Sequence, residues 1–197
     1  MKKKIAFFDF DGTITKKDTL LEFIKFNKGD FHFYLGFLLK SPYLVAYKLN
    51  IISNQAAKEK VLQFFFGRMN FALFQERCDQ FATDIVPGLV RPKALEEIKK
   101  LQKDGVIVVI VSSSPENWIS SWARMMQVKL IGTRLEVKED RVTGKILDKN
   151  CHGKEKVKRI QKEYDLSEYS EIYAYGDTAG DEPMLALANF PFMKPFR

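Results

Sequence analysis

Three short runs of apolar residues stand out along the chain, and each ends in polar residues. They are residues 5–8, 106–111 and 172–175. Runs that are apolar at every position, and not only at alternate ones, are typical of strands buried on both faces of a parallel sheet. Because helical segments lie between them, the pattern predicts a doubly wound, Rossmann-like α/β sheet.

The segments between these strands carry apolar residues at helical spacing. Residues 92–103 begin with proline, have an apolar stripe and are followed closely by glycine, which favours a helix. Two alternating pieces within residues 135–146 predict a β-hairpin. We expect further helices to open at Pro115 and to cover residues 154–162 and 181–188.

Residues 18–85 depart from this alternation and are helix-like throughout. Their last part carries an apolar stripe at spacings of three and four: Phe71, Phe74, Cys78, Phe81 and Ile85. Pro87 and Gly88 then mark a boundary. We therefore expect an all-α domain of residues 18–86, inserted into a core domain made of residues 1–17 and 87–197.

The charge balance narrows the choice of partners. The chain has 32 Lys and Arg against 25 Asp and Glu, which gives a net charge of +7. Because the lysines are scattered, a solvated basic surface is the simplest interpretation; a nucleic acid, an anionic membrane surface or an anionic small substrate are the alternatives. The sequence has no RNP signature, zinc-finger spacing or basic leucine heptad, so we expect no nucleic-acid partner.

Other features favour a cytoplasmic protein. Asp9 and Asp11 interrupt the apolar stretch behind the basic start, so we expect no secretory signal. Two cysteines, Cys78 and Cys151, are typical of a reduced protein. Residues 31–47 hold 12 apolar or aromatic residues, too few for the roughly 20 that span a bilayer. They predict either buried or amphipathic helices, or a helix peripheral to the inner face of the membrane.

Two aspartates directly follow the first predicted strand, in the sequence Asp9-Phe10-Asp11-Gly12-Thr13. At the end of a strand, side chains two residues apart can project toward the same edge. Two carboxylates held close together repel unless a proton or a cation lies between them, and Mg²⁺ with its oxygen ligands meets that need. A calcium EF-hand is excluded, because its glycine and glutamate positions hold Ile14 and Leu20.

The other two strands end in similar residues. Ser112 follows the second strand, while Gly176 and Asp177 end the third and Asp181 lies four residues further on. The carboxyl ends of the strands in an open α/β sheet form one ligand-binding edge. These residues therefore predict a single site for an anionic substrate and a hard divalent cation.

The motifs Asp9-x-Asp11, Ser112, a later lysine and Gly176-Asp177-x-x-x-Asp181 resemble the four motifs of the haloacid dehalogenase (HAD) superfamily. The helical insertion is similar to its type-1 cap. The hairpin and the sequence Asn-Cys-His-Gly at residues 150–153 resemble the phosphoserine-phosphatase-like branch, subfamily IB. The resemblance covers nearly the whole chain, and it implies a HAD core with a helical cap and a Mg²⁺-dependent phosphatase activity.

The resemblance implies a role for each acidic residue. Asp9 would attack phosphorus and form an aspartyl-phosphate. Asp11 would protonate the leaving group and then activate water. Mg²⁺ would be held by Asp9, the backbone carbonyl of Asp11 and Asp177, with Asp181 supporting its water shell.

The groups that bind phosphate would come from two further places. Ser112 and backbone N–H groups near Gly12 and Ser113 would donate hydrogen bonds to the phosphoryl oxygens. A lysine at the start of the following helix would add a positive charge. The apolar register of phosphoserine phosphatases selects Lys154, whereas the Gly-x-x-Lys spacing of the closer branch selects Lys156, which we prefer.

The cap would select the substrate. In phosphoserine phosphatases an early cap glutamate faces the substrate amine and an arginine faces its carboxylate, but this chain has Asp18 and Lys58 or Lys60 near those places. Aspartate is shorter than glutamate, and lysine lacks the forked guanidinium of arginine, so these residues would bind an amino acid poorly. The many cap aromatics suit a larger phosphate. We therefore expect a small or lipid-like phosphate as the substrate, with phosphoserine, or phosphoryl transfer to an alcohol, as alternatives.

Two smaller expectations complete the picture. His152 lies in a loop that we place near the site, and the serines from Ser112 to Ser114 lack a nucleophile elbow, which counts against a serine hydrolase. The chain ends soon after the last motif, so we expect the sheet to be short at that edge.

Overall fold

The computed structural model describes residues 3–49 and 51–197 and contains a six-stranded sheet. Its strands are β1 (Lys3–Phe8), β2 (Ile107–Pro115), β3 (Lys129–Lys138), β4 (Arg141–Leu147), β5 (Tyr169–Gly176) and β6 (Phe190–Met193). They lie in the order β4-β3-β2-β1-β5-β6. Neighbouring strands are parallel except for β3 and β4, which form an antiparallel hairpin.

The helices fall into an inserted group and a group that alternates with the strands. They are α1 (Thr19–Lys48), α2 (Asn54–Phe66), α3 (Phe71–Asp84), α4 (Val86–Leu89), α5 (Pro92–Lys103), α6 (Ser120–Met125), α7 (Lys154–Glu163) and α8 (Glu182–Leu185). Helices α1 to α3 stand between β1 and β2, where the sequence predicts the insertion. The predicted α/β fold with a helical insertion is confirmed, whereas the division at residues 18 and 86 stays a prediction.

The sheet is buried on both faces, as the continuous apolar runs predict. Ala6 and Phe8 of β1 face one apolar cluster, which includes residues of α1, α2, α3 and α5. Ile5 and Phe7 face a second cluster, which includes Ile160 of α7 and residues of α8. Since successive residues of a strand point to opposite faces, residues 5–8 of β1 must all be apolar to bury both.

The inserted helices pack on the core through an aromatic cluster. The ring of Phe23 on α1 stacks on Trp118 with centroids 4.8 Å apart. It also contacts Phe66 of α2, Phe74 and Phe81 of α3, at 5.2, 5.7 and 5.2 Å. The stripe predicted on α3 is therefore the face that packs inward, and it ties the insertion to the segment that follows β2.

Two details of the predicted elements differ. Pro115 ends β2, where it pairs with Thr133, and the helix predicted after it consists of two short pieces, a 3-10 helix at Glu116–Trp118 and α6 from Ser120. The hairpin is present as predicted, but β3 begins earlier, at Lys129, and its first half pairs in parallel with β2. Because Thr133 is polar although it is buried, the hydrophobic pattern of the sequence does not reveal the first half of β3.

The sheet also extends further at its other edge than the sequence predicts. Strand β6 pairs in parallel with β5 and is exposed along its length. Pro191 in its middle argues against a central strand but is tolerated at an edge, where no further strand needs its N–H group.

Two predicted features of the wider chain have clear outcomes. Cys78 and Cys151 are free thiols buried in separate apolar clusters, so they do not form a disulfide. Among the described residues, no helix combines the length and the apolar character needed to cross a membrane.

Candidate active site

The predicted motifs meet at the carboxyl edge of the sheet. Asp9 directly follows β1, Ser112 lies near the end of β2, and Asp177 directly follows β5. These strands are neighbours, because β1 lies between β2 and β5. The topology therefore brings together residues that are more than a hundred positions apart in the sequence.

A buried lysine joins two of the aspartates. The Nζ of Lys156 lies 2.6 Å from Oδ1 of Asp9 and 2.7 Å from Oδ1 of Asp181, and its side chain is 1% exposed. Burial opposes the charge on Lys156, but the two carboxylates outweigh it and hold the pKa above the ordinary value. The ammonium is therefore a fixed positive charge at the sheet edge.

The two carboxylates respond to burial differently. Burial raises the pKa of Asp9 to about 7, although Lys156 acts in the opposite direction. Burial also opposes ionisation of Asp181, but Lys156 together with the N–H groups of Thr178 and Asp177 lowers its pKa below the ordinary value. Asp181 is thus held ionised, while Asp9 needs a further positive charge beside it to be fully ionised at neutral pH.

Three carboxylates form a group that fits a divalent cation. One oxygen from each of Asp9, Asp177 and Asp181 lies within 4.8 Å of the others, and all three residues are buried. Close, buried carboxylates with hard oxygen ligands are the donor set that Mg²⁺ uses in phosphate sites. Asp177 also accepts a hydrogen bond from Thr13 Oγ1 at 3.3 Å and forms an ion pair with Arg197.

Two glycines leave room for these carboxylates. Gly12 has φ +83°, and a Cβ there would lie 2.5 Å from Oδ2 of Asp177. A Cβ on Gly176 would lie 2.5 Å from Cβ of Asp181. Glycine at both positions therefore allows the backbone to approach the carboxylates closely.

The carboxylate of Asp11 points away from this group and is held by the cap and by β2. Its Oδ1 accepts hydrogen bonds from the N–H and hydroxyl groups of Thr19, at 2.7 and 2.6 Å. Its Oδ2 accepts one from Ser114 Oγ at 2.6 Å, whereas Ser112 Oγ is 3.5 Å away. Trp118 Nε1 donates to the same Thr19 hydroxyl at 3.1 Å, so Asp11 has a fixed direction.

The sequence motifs do not reveal Thr19 and Ser114. Ser114 stands in a run of three serines, of which only Ser112 matches the family motif. Thr19 begins α1, where a threonine is readily explained as part of a helix start. The sequence feature that could have indicated Thr19 is its position directly after Asp18, where the chain passes from the core into the cap.

The cap residues also lie at the junction with the core. Asp18 caps α1, where its Oδ1 accepts from the N–H groups of Leu20 and Leu21. Desolvation and the nearby Asp11 raise the pKa of Asp18 to about 6, while Lys58 acts in the opposite direction. Desolvation lowers the pKa of Lys58, against the attraction of both aspartates.

Lys58 is the cap lysine that reaches the core. Its Nζ donates to the carbonyl oxygen of Ser113 at 2.9 Å and to Asn150 Oδ1 at 3.4 Å. Lys60 is exposed and lies over the ring of Tyr43, 5.8 Å from its centroid. Of the two lysines that the sequence proposes for this place, Lys58 alone lies beside the predicted site residues.

The remaining predicted residues lie around this centre. Lys154 is exposed on the first turn of α7, whereas Lys156 is buried among the carboxylates. The Gly12 N–H donates weakly to Thr15 Oγ1, at 3.4 Å. His152 lies against Gly180, where a Cβ would approach its ring to 2.2 Å, which agrees with the expected loop position near the site.

Comparison with known proteins agrees with this geometry. The family profile of haloacid dehalogenase-like hydrolases matches residues 6–186. Protein CicA of Caulobacter vibrioides is 35% identical over 192 residues, which cover 96% of this chain and 85% of CicA. A probable phosphatase of Mycobacterium tuberculosis is 29% identical over 91% of this chain and 64% of its own length.

Solved structures share the fold. A protein of unknown function from Bordetella pertussis Tohama I superimposes with a TM-score of 0.83 at 20% identity, over 95% of this chain and 88% of its own. A phosphoserine phosphatase in a phospho-aspartyl intermediate analogue superimposes with a TM-score of 0.68 at 18% identity, over 95% and 84%. With the profile match, the fold and the relatives in agreement, the chain belongs to the haloacid dehalogenase-like hydrolase family and is a phosphatase-like enzyme of that family.

Proposed function

We propose that the chain is a Mg²⁺-dependent phosphomonoester hydrolase that works through an aspartyl-phosphate. The observation that carries the proposal is the position of Asp9. Its carboxylate binds the buried ammonium of Lys156 and is also one of the three carboxylates suited to a cation. Positive charge on both sides of a carboxylate favours its ionised, nucleophilic form and also attracts a phosphate dianion.

The proposed reaction has two steps. A carboxylate oxygen of Asp9 attacks phosphorus, the bond from phosphorus to the ester oxygen breaks, and Asp11 gives its proton to that oxygen. Asp11 then takes a proton from water, whose oxygen attacks the same phosphorus and releases inorganic phosphate from Asp9. The hydrogen bonds from Thr19 and Ser114 fix the direction in which the Asp11 carboxylate points.

Asp9, Asp177 and Asp181 would hold Mg²⁺, which when bound supplies positive charge between the nucleophile and the phosphate. Lys156 keeps two of these carboxylates from repelling each other and offers its ammonium to a phosphoryl oxygen. Ser112 is fully buried beside them, and its hydroxyl accepts from the Ser114 N–H at 3.0 Å. Its own proton is available to a second phosphoryl oxygen.

We place the substrate among small or lipid-like phosphates. Asp18 and Lys58, the cap residues nearest the amino-acid clamp of phosphoserine phosphatases, already bind the α1 backbone and the core. Phosphoserine is the alternative that the fold of the solved relatives favours. Transfer of the phosphoryl group to an alcohol would use the same intermediate, and product analysis separates the two reactions.

The test is hydrolysis of an aryl phosphate with added Mg²⁺, followed by chelation. Asp9→Asn should abolish turnover, because the amide is not a nucleophile, and chelation should abolish it in the unaltered protein. Asp104→Asn, which changes an exposed carboxylate at the end of α5, is the matched control and should keep full activity. Turnover that survives both Asp9→Asn and chelation would overturn the proposal.

A further inference from the structure

The second half of α1 has an apolar face that points to solvent. The helix breaks at Gly29, which has φ 75°, and continues to Lys48. Beyond the break, six apolar residues recur at helical spacing on one side, and we call this side the outer face: Phe31, Tyr34, Leu35, Leu38, Val45 and Leu49. Phe31, Leu38 and Leu49 are 74%, 70% and 65% exposed, so none of the residues that the structure describes covers them.

The opposite side of the same helix is its buried side. Phe33 is buried there, and Gly36 packs so closely on α2 that a Cβ would lie 2.2 Å from the ring of Phe65. A helix that packs on its protein with one side normally presents charged and polar residues on the other. This segment is apolar on both sides, which is typical of a helix whose outer side contacts another apolar surface.

The charges along this part of the chain are mostly basic. Asp30 stands at the start of the segment, but from Phe31 to Lys58 the sequence has no Asp or Glu and has Lys40 and Lys48. The Nζ of Lys40 lies 4.8 Å from the centroid of Phe64, a half-exposed ring beside α1. Lys40 lies on the side of α1 that packs on α2, four residues after Gly36, and Lys48 lies next to Leu49 at the end of the outer face. Basic residues beside an apolar face occur in interfacial helices, in which the apolar side enters a bilayer and the ammonium groups stay in the headgroups.

We infer that the outer face docks on the surface of an anionic lipid bilayer. The apolar residues would enter the acyl boundary, and the neighbouring lysines would meet anionic headgroups. A second copy of this chain fits less well, since the chain carries a net charge of +7 and an equally charged copy repels it, whereas an anionic surface attracts it.

A series of hydrogen bonds links the end of α1 to the candidate active site. The Tyr47 hydroxyl accepts a hydrogen bond from Asn54, whose Oδ1 accepts from Asn150 Nδ2 at 2.6 Å. Asn150 in turn accepts from Lys58, which also binds the Ser113 carbonyl. Docking would therefore hold the junction of cap and core near the membrane surface. The active site would then have access to phosphates at a bilayer. That consequence rests on the proposed function, whereas the docking itself does not.

The test is sedimentation with vesicles, with the full chain and no substrate. The protein should bind vesicles of phosphatidylcholine with phosphatidylglycerol, bind pure phosphatidylcholine far less, and lose binding as salt is raised. Leu38→Glu should weaken binding about tenfold or more, because it places a charge where an apolar side chain enters the bilayer. Leu73→Glu, at an exposed leucine on α3, should leave binding unchanged.

The outcomes separate docking from catalysis. Leu38 is 70% exposed, so Leu38→Glu should keep its thermal stability and its turnover of a soluble aryl phosphate. Asp9→Asn should bind the vesicles as the unaltered protein does, even though it cannot turn over. Equal binding by Leu38→Glu and the unaltered protein, or no binding to anionic vesicles, would overturn the inference. A dimer that Leu38→Glu dissociates, without vesicle binding, would assign the outer face to a second copy instead.

Discussion

The ammonium of Lys156 lies 2.6 Å from Oδ1 of Asp9, and both side chains are almost completely buried. A buried ion pair costs desolvation on both sides, so its presence at the edge of a sheet is better explained by the chemistry of the site than by stability. Lys154, two residues earlier on the same helix turn, is exposed. The two lysines therefore offer a matched pair of substitutions.

Lys156→Ala should lower kcat/KM for an aryl phosphate by about ten- to hundredfold, since a charge-assisted hydrogen bond contributes about 1.5–3 kcal/mol. Lys154→Ala should change it less than twofold, because its side chain lies in solvent. Steady-state kinetics with thermal unfolding of each variant checks this. A larger loss for Lys154→Ala than for Lys156→Ala would transfer the phosphate-binding role to Lys154.

The hydroxyl of Thr19 should act as a positioning group for Asp11. Thr19→Val keeps the shape of the side chain but removes the hydrogen bond to Asp11 Oδ1, so kcat should fall about tenfold while KM changes little. Thr19→Ser should restore most of the turnover, because it returns the hydroxyl. A purely structural role would give a loss of stability without this rescue, and a KM effect as large as the kcat effect would contradict the positioning role.

Gly12 and Gly105 provide a second matched comparison. Both have positive φ, +83° and +73°, so alanine at either position should lower the free energy of unfolding by about 1 kcal/mol. A Cβ at Gly12 would also meet the Asp177 carboxylate, whereas nothing lies within 4 Å of one at Gly105.

Gly12→Ala should therefore lose turnover and raise the Mg²⁺ concentration needed for half-maximal activity, while Gly105→Ala should keep both. Denaturant unfolding and a Mg²⁺ titration of each variant check this. Equal Mg²⁺ dependence in the two variants would show that Gly12 serves only the backbone conformation.

The sequence predicts those parts of the molecule that depend on local pattern. Ile5 to Phe8 are apolar because the strand is buried on both faces, and the position of Asp9 at its end follows from that alone. Thr133 and Pro191 are different, because one is a buried polar residue in a strand and the other is a proline in an edge strand. Only their neighbours in space explain them, so periodicity misses the first half of β3 and the whole of β6.

The same distinction applies to the candidate site. The residues of the motifs lie where the sequence predicts, at one sheet edge, since the topology alone brings strand ends together. The residues that hold Asp11 come from the cap and from β2, and their hydrogen bonds depend on how the cap packs on the core. No spacing in the sequence encodes that packing, so Thr19 and Ser114 are visible only in three dimensions.

The choice among substrates leads to the last prediction. A panel of soluble phosphomonoesters and detergent-dispersed lipid phosphates should rank phosphoserine low. Asp18 Oδ1 already accepts from two N–H groups at the start of α1, and Lys58 already donates to Ser113 and Asn150. An amino acid would have to displace these contacts to be held by its amine and carboxylate. The N–H groups of α1 and the carbonyl of Ser113 would then lose their present partners.

Phosphates with an apolar portion should rank higher in kcat/KM, and each further buried CH₂ group should raise it about three- to fourfold, from about 0.8 kcal/mol per group. Lys58→Met is the diagnostic variant, since it keeps much of the length of the side chain and removes the charge. It should leave the rank order unchanged if Lys58 is a structural link between cap and core. If phosphoserine leads the panel and Lys58→Met selectively abolishes its turnover, Lys58 binds the substrate carboxylate, and the chain is a phosphoserine phosphatase.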